Sequence, residues 1–280
     1  MSLVVSHSGP GPTMHEFLLT RERPPQAGAL AASAAFAWRS VRKIKHVPDT
    51  MFDAVVQPIV FLVLVTYGFG GAIAGSPREY LQFFTPGVAL LAVVMISMST
   101  GFAMNKDMAS GLFDRVRTLP VRPLSVLTGP ILADTVRYLL STVVAVSIGL
   151  LLGFRPSGGV LGVLLAALFL QLFAFSLSWV WTWIGIVARA PGTAESVIMM
   201  VNSVVLFGSS ILAPVETMPG WVRFIVQLNP VSHAADVTRG LMHGTITMSQ
   251  LWVGLLLCAG LSAVFAPLAL GAFTKRRRVG

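Results

Sequence analysis

"GVLGVLLAALFLQLFAFSLSWVWTWIGIVA", Gly159 to Ala188, runs for thirty residues without a charge. About 20 apolar residues in a helix cross the hydrocarbon of a bilayer, so this run is long enough to span it with tilt or to overrun it. Five further apolar runs flank it, at about Met51–Gly71, Gln82–Met104, Ile131–Gly153, Ser196–Ala213 and Ser249–Phe273. The fifth of the six, Ser196–Ala213, is short and meets Pro214. The expected fold is therefore an all-α integral membrane protein with six transmembrane helices.

Composition agrees. Of 280 residues, 55% are hydrophobic and 11% charged, with a mean hydropathy of +0.78. A soluble chain would carry about a quarter charged residues. The net charge of +9 reads as membrane orientation rather than nucleic-acid binding, because cations collect at the cytoplasmic face. Fifteen of the Lys and Arg residues fall in the N-terminal segment, the second-to-third and fourth-to-fifth connections and the C-terminus, against four in the opposite loops. That asymmetry predicts both termini in the cytoplasm. Cys258 is the sole cysteine, which excludes an intrachain disulfide and leaves no thiolate metal site.

The layout around the spans has four parts. Residues 1–27 mix Ser, Gly, Pro and charge, hold no apolar core of signal-peptide length, and read as a disordered cytoplasmic tail. Residues 28–47 read as an amphipathic helix on the membrane surface, with Ala34, Trp38 and Val41 on one face and Arg39, Arg42, Lys43 and His46 on another. Residues 48–274 form the transmembrane domain, and 275–280 a basic tail. Between spans five and six, Met218, Trp221, Val222, Ile225 and Leu228 make a short amphipathic helix, broken at Asn229-Pro230 before a second helical piece. These are expected to be re-entrant half-helices at the outer face, since irregular backbone at that depth must be buried in protein or line a cavity.

The chemistry of hydrolysis is absent. The four lysines, Lys43, Lys45, Lys106 and Lys275, follow Arg42, Ile44, Asn105 and Thr274, so no phosphate-binding Gly-Lys pair exists. His233 and His243 stand ten apart, without metal-ligand spacing, and read as solvated or hydrogen-bonded. No catalytic residue and no metal site is expected. Charges within spans are costly and raise functional hypotheses. Asp53, with Gln57 one turn on, lies at the cytoplasmic start of the first span, and Asp134 and Arg137 lie near that of the third. They are either locally paired interfacial charges or the lining of a substrate path. None sits at mid-membrane, which argues against a proton relay. In the fourth span, Trp179 and Trp183 share a face, open to lipid, a second copy or an apolar substrate.

The second-to-third connection, "GLFDRVRTLPVRP" (Gly111–Pro123), carries four charges and two prolines. Gly111 and Pro120 bracket about two helical turns, with Leu112, Val116 and Leu119 on one face, Phe113 at its edge, and Asp114, Arg115 and Arg117 elsewhere. Such a helix either docks in a groove of another protein or lies on headgroups.

These segments resemble the membrane permeases of type-2 ATP-binding-cassette exporters, close to the daunorubicin-resistance permeases of actinobacteria. The resemblance rests on "SGLFDRVRTLPVRPLSVLTGPILAD", similar to the family's coupling segment, and on "GSSILAPVETMPGWVRFIVQLNPVSHAADVTRGL", similar to its outer segment. In the latter, Pro214, Met218, Pro219, Trp221, Asn229, Pro230, Arg239 and Gly240 fall at the family's positions. The Arg-rich loading of the coupling segment departs from the family pattern. The resemblance implies a permease of the bacterial cell membrane that moves an amphiphilic antibiotic or lipid. It would work beside a second permease, identical or a sister chain, and two ATPase subunits that bind ATP and magnesium. Residues 111–120 would be the coupling helix, Trp38 to Lys43 part of the connecting helix, and the outer segment a gate. A polysaccharide exporter permease, a stand-alone secondary transporter and a membrane scaffold are the alternatives.

Overall fold

The computed structural model describes residues 48–110, 123–188 and 190–279. Among these, every regular element is a helix: α1 (Pro48–Ala74), α2 (Pro77–Ala109), α3 (Pro123–Leu152), α4 (Gly159–Val187), α5 (Pro191–Phe207), α6 (Gly220–Leu228), α7 (Pro230–His243) and α8 (Met248–Val279). A 3-10 turn, Val215–Thr217, precedes α6. Five of these eight helices begin at a proline, whose fixed φ and missing N–H suit the first helical turn. Ser76 adds an N-cap to α2, accepting from the Glu79 amide at 3.2 Å. The internal prolines Pro58, Pro86, Pro130 and Pro267 sit inside long helices. Neighbouring helices tolerate such breaks by re-satisfying the freed carbonyls.

Five helices, α1 to α4 and α8, are long and apolar enough to cross a membrane, and α5 is a shorter apolar helix of 17 residues. The fifth run thus begins earlier than its apolar stretch suggests, at Pro191, and ends at Phe207 rather than at Pro214. Its end is set from outside. The Asn229 side-chain amide donates to the carbonyls of Val205 and, at 2.7 Å, Gly208, which the helix can no longer use. Asn229 Oδ1 meanwhile accepts from the Val231 amide at 2.9 Å and caps α7. Asn105 does the corresponding work at the other end of the bundle, donating to Gly185 O at 2.7 Å and Ala188 O at 3.0 Å at the end of α4.

Helix α2 is the axis. Its apolar window is 78% buried, against 22% for α1 and 17% for α8, and it packs on α1, α3, α4, α5 and α7. Lipid supplies no hydrophobic force between helices, so close approach at small residues must replace it. Gly101 and Gly185 provide that approach: a Cβ on Gly185 would stand 2.4 Å from Gly101 O, and one on Gly101 2.6 Å from Trp181 O. The Trp181 indole, fully buried, donates to Ser97 Oγ at 3.0 Å across the same crossing. A second contact of this kind joins the α3–α4 turn to α7, where Gly158 N donates to Met242 O at 2.9 Å and a Cβ on Gly158 would meet Leu241 O at 2.4 Å. Several buried hydroxyls return to the carbonyl of the preceding turn, as Thr85 to Leu81, Thr142 to Tyr138 and Ser178 to Ala174 do, which leaves these satisfied without water.

Gly185→Ala is expected to force α2 and α4 apart and to destabilise the protein by about 1–3 kcal/mol, the usual penalty of overpacking. Gly260→Ala, where a Cβ meets nothing within 4 Å, should leave stability unchanged. Thermal unfolding of the two variants in detergent micelles checks the pair.

Candidate functional site

Ser99 and Thr100 of α2 face α3 about 15 Å, or ten residues, from the end of α2 at Ala109. Asp134 and Arg137 are one turn apart on α3, and both are buried, at 9% and 6% exposure. Arg137 Nη1 lies 3.1 Å from Asp134 Oδ1 and donates to Ser99 Oγ at 2.9 Å. Thr100 Oγ1 donates to Asp134 Oδ2 at 2.6 Å, and Ser99 Oγ passes its own proton to Ile96 O at 2.7 Å. Each carboxylate oxygen therefore has a donor, and the pair bolts α3 to α2. Arg137 Nε is buried with no partner.

Beside this cluster lies a cavity of about 410 Å³, lined by Gln57 of α1, Met95, Ile96, Met98, Ser99 and Phe102 of α2, and Arg137 of α3. The structure thus brings Gln57, Arg137 and, through the ion pair, Asp134 together. Asp53 lies on α1, one turn before Gln57, and its side chain is outside the described set. Trp179 and Trp183 lie elsewhere, and neither faces this cavity. Trp179 is buried against Phe175, with ring centroids 6.1 Å apart, and Trp183 meets Phe265 of α8 at 5.7 Å. Trp179 belongs to a small core with Met104, Leu127, Ile131, Ile186, Ala269 and Phe273, and the half-buried Trp183 packs against its edge.

The 208–247 region forms a second polar centre that spacing alone did not single out. Arg239 of α7 donates through Nη2 to Ser210 O at 2.7 Å and Ile211 O at 3.1 Å, and through Nε to Phe83 O of α2 at 3.2 Å. Its guanidinium carbon stands 3.8 Å from the centroid of the Phe83 ring, and Nη1 lies 3.7 Å from Asp236. Burial lowers its pKa to about 10, opposed by the charges of Asp236, Tyr80 and Glu216, so it stays charged near neutral pH. Tyr80 donates to Leu212 O at 2.7 Å and His243 Nε2 sits 3.0 Å from Gln82 O, so α2 anchors this region at three places. Pro214 precedes the 3-10 turn, Met218 ends it, and Pro219 leads into α6. Trp221, Phe224, Ile225 and Leu228 of α6 are exposed, with Val226 the buried residue of that helix. His233 bonds Gln227 O at 2.9 Å, in keeping with a hydrogen-bonded role. Among the described residues, no group of three or more metal-ligating side chains occurs. The expected coupling segment, Gly111, Leu112, Phe113, Arg115, Val116, Arg117, Leu119 and Pro120, lies outside the described residues, as do the N-terminal tail and the connecting helix with Trp38, Arg39, Arg42 and Lys43.

An all-helical bundle with five helices long and apolar enough to cross a bilayer, and buried polar ties between them, defines a multi-pass membrane protein. The chain belongs to the ABC-2 type transporter family, whose model matches residues 32–243. It is 46% identical to "Daunorubicin resistance ABC transporter permease protein DrrB1" of Streptomyces coeruleorubidus, over 91% of this chain and 90% of that protein. It is 30% identical to "Probable doxorubicin resistance ABC transporter permease protein DrrC" of Mycobacterium tuberculosis, over 79% of this chain and 81% of the relative. A third relative, "Doxorubicin resistance ABC transporter permease protein DrrB" of the same species, is 27% identical over 71% and 72%. This chain is accordingly a permease subunit of an ATP-binding-cassette transporter in the bacterial cell membrane, and not its ATPase.

Arg137→Leu should strand Asp134 in the bundle and cost about 3–5 kcal/mol, whereas removing both charges as Asp134→Asn with Arg137→Gln should restore most of that. A double-mutant cycle on the thermal midpoint measures the difference. Arg239→Lys keeps the charge but loses the fork that reaches three carbonyls. It should expose the 208–247 region to limited proteolysis while the region around Asp134 stays protected.

Proposed function

We propose that this permease exports an amphiphilic antibiotic or lipid, driven by separate ATPase subunits acting through residues 111–120. The observation that carries this reading is where the polar cluster sits. The connection from α2 to α3 is the segment expected to receive force, and the Thr100–Asp134–Arg137–Ser99 cluster ties those same two helices together beside the cavity. A displacement delivered to 111–122 would reach the cavity walls through two rigid helices joined by a buried ion pair. The names of the relatives, which speak of daunorubicin and doxorubicin resistance, favour a drug-like substrate.

In this reading α5, about 26 Å long, crosses the bilayer as the fifth of six spans, which returns both termini to the cytoplasm and agrees with the cation asymmetry. Residues 28–47 rest on the membrane surface near the ATPase. Helices α6 and α7 form the outer gate, with the exposed Trp221, Phe224, Ile225 and Leu228 lying in the interface and Arg239 holding the segment to α2. A second permease, identical or a sister chain, completes the pathway, and ATP with magnesium is bound by the two partner ATPases. A polysaccharide pathway would call for Trp179 and Trp183 on the lumen wall of a permease dimer, so their facing in that dimer discriminates the two readings.

Leu112, Val116 and Leu119 changed together to Asp should abolish copurification of the ATPase while membrane insertion persists. Reversal of Arg115 and Arg117 to Glu should weaken coupling less, since exposed ion pairs contribute only about 0–1 kcal/mol each. Undiminished copurification in the triple variant would overturn the docking assignment.

A further inference from the structure

The cavity between α1, α2 and α3 is polar at one corner and apolar elsewhere, and the polar corner has a definite sign. Of the ion pair, Arg137 lines the cavity and Asp134 does not. Asp134 turns both oxygens to Thr100 and Arg137, within the helix interface. Ser99 accepts from Arg137 and gives its proton to Ile96 O, so its hydroxyl is already engaged in both senses. The polar lining residues that keep hydrogen-bonding capacity are therefore Arg137, whose guanidinium can only donate, and Gln57. Met95, Ile96, Met98 and Phe102 supply the opposite character, a polarisable apolar lining of the kind that adapts to varied shapes. The pair is neutral as a whole, which lowers the cost of holding it in the membrane. The division of its two charges between cavity and interface nevertheless leaves the cavity, among the described residues, a donor without a matching carboxylate.

We propose that this cavity is a binding subsite for the oxygen-acceptor end of an amphiphile, a phosphate, carboxylate or carbonyl group, received by Arg137 and Gln57 while the apolar body packs on Met95, Met98 and Phe102. The assignment rests on the export reading and names the chemistry that the path accepts. A cationic head group is disfavoured at this corner, because it would meet the guanidinium rather than Asp134. The phosphate of a lipid and a carbonyl or carboxylate of a drug share the recognised chemistry, and the apolar lining separates both from a free anion.

The test uses the purified full-length permease in neutral maltoside micelles, without ATPase, at about 0.5 M salt to screen exposed basic residues. Binding of a fluorescent dodecyl phosphate, of its dodecyl carboxylate analogue and of the matching dodecyl trimethylammonium is followed by anisotropy. Both anionic probes should bind saturably and at least tenfold more tightly than the ammonium. Asp134→Asn with Arg137→Gln keeps the net charge of the chain and should abolish that preference. Gln57→Trp, placed on the lightly embedded α1, should fill the cavity and remove saturable binding of all three probes. Unchanged helicity and elution volume establish that each variant is folded. If the double variant does not fold, the Gln57→Trp arm decides alone. Equal or tighter binding of the ammonium, a preference that survives the double substitution, or anionic binding that survives Gln57→Trp would each overturn the proposal. Competition by inorganic phosphate at the concentration of the probe would show a site for the bare anion and would overturn it as well. Binding as expected, in a permease that fails to export any amphiphile beside its ATPase, would sink the export reading and leave the subsite standing.

Discussion

Helices α2 and α4 meet backbone to backbone at Gly101 and Gly185, and the rest of the bundle is arranged about that contact. In a bilayer, apolar side chains gain nothing by leaving lipid for one another, so two helices stay together through dispersion at short range and hydrogen bonds that lipid cannot offer. The crossing uses both. The glycines let the carbonyls of one helix approach the other, and Trp181 reaches across to Ser97. Asn105 secures the neighbouring end of α4 by taking up its free carbonyls. With α4 held on one side of α2, the remaining sides are free for α1, α3, α5 and α7.

The same scarcity of partners explains the irregular parts. Where α5 stops, its carbonyls would face hydrocarbon or a dry protein interior, and Asn229 supplies the donor. Where the chain runs without helix from Gly208 to Pro214, Arg239 and Tyr80 donate to the carbonyls of Ser210, Ile211 and Leu212. A lysine could satisfy one of these and not the set. The cationic side chain is thus a scaffold for bare backbone, and it fastens the α6–α7 region to α2 at Phe83.

One consequence concerns how movement would pass through the protein. The α2 helix carries the Arg239 anchor near its start and the Arg137 cluster near its far end, some 16 residues apart, or about 24 Å. A single rigid element therefore touches both the polar cavity and the α6–α7 region. Any displacement of α2 relative to α3 or α4 must be felt at both, because packed interfaces shift between discrete arrangements rather than deforming smoothly.

Much was legible before the fold was known. Uncharged runs of span length, such as Gly159–Ala188, set the class of the protein, because span length follows from the properties of short windows. The break at Asn229-Pro230 and the two short helices around it could be read in the same way, as could the pairing of Asp134 with Arg137 one turn on. The partners across helices could not. Asn105 looks like an ordinary polar residue in sequence, Asn229 and Arg239 stood out only as part of the outer segment, and what all three do arises from carbonyls 21 to 156 residues away. The tryptophans of α4 show the limit most clearly. That helix is apolar around most of its circumference, so no periodicity distinguishes the side facing lipid from the side facing protein. By itself, the sequence determined that the chain enters the membrane as helices of given length and bounded them by local chemistry. Only the tertiary structure decided that Trp179 turns inward, that Trp183 packs on Phe265 and that Arg137, rather than Asp134, lines the cavity, because those choices depend on which helix lies alongside.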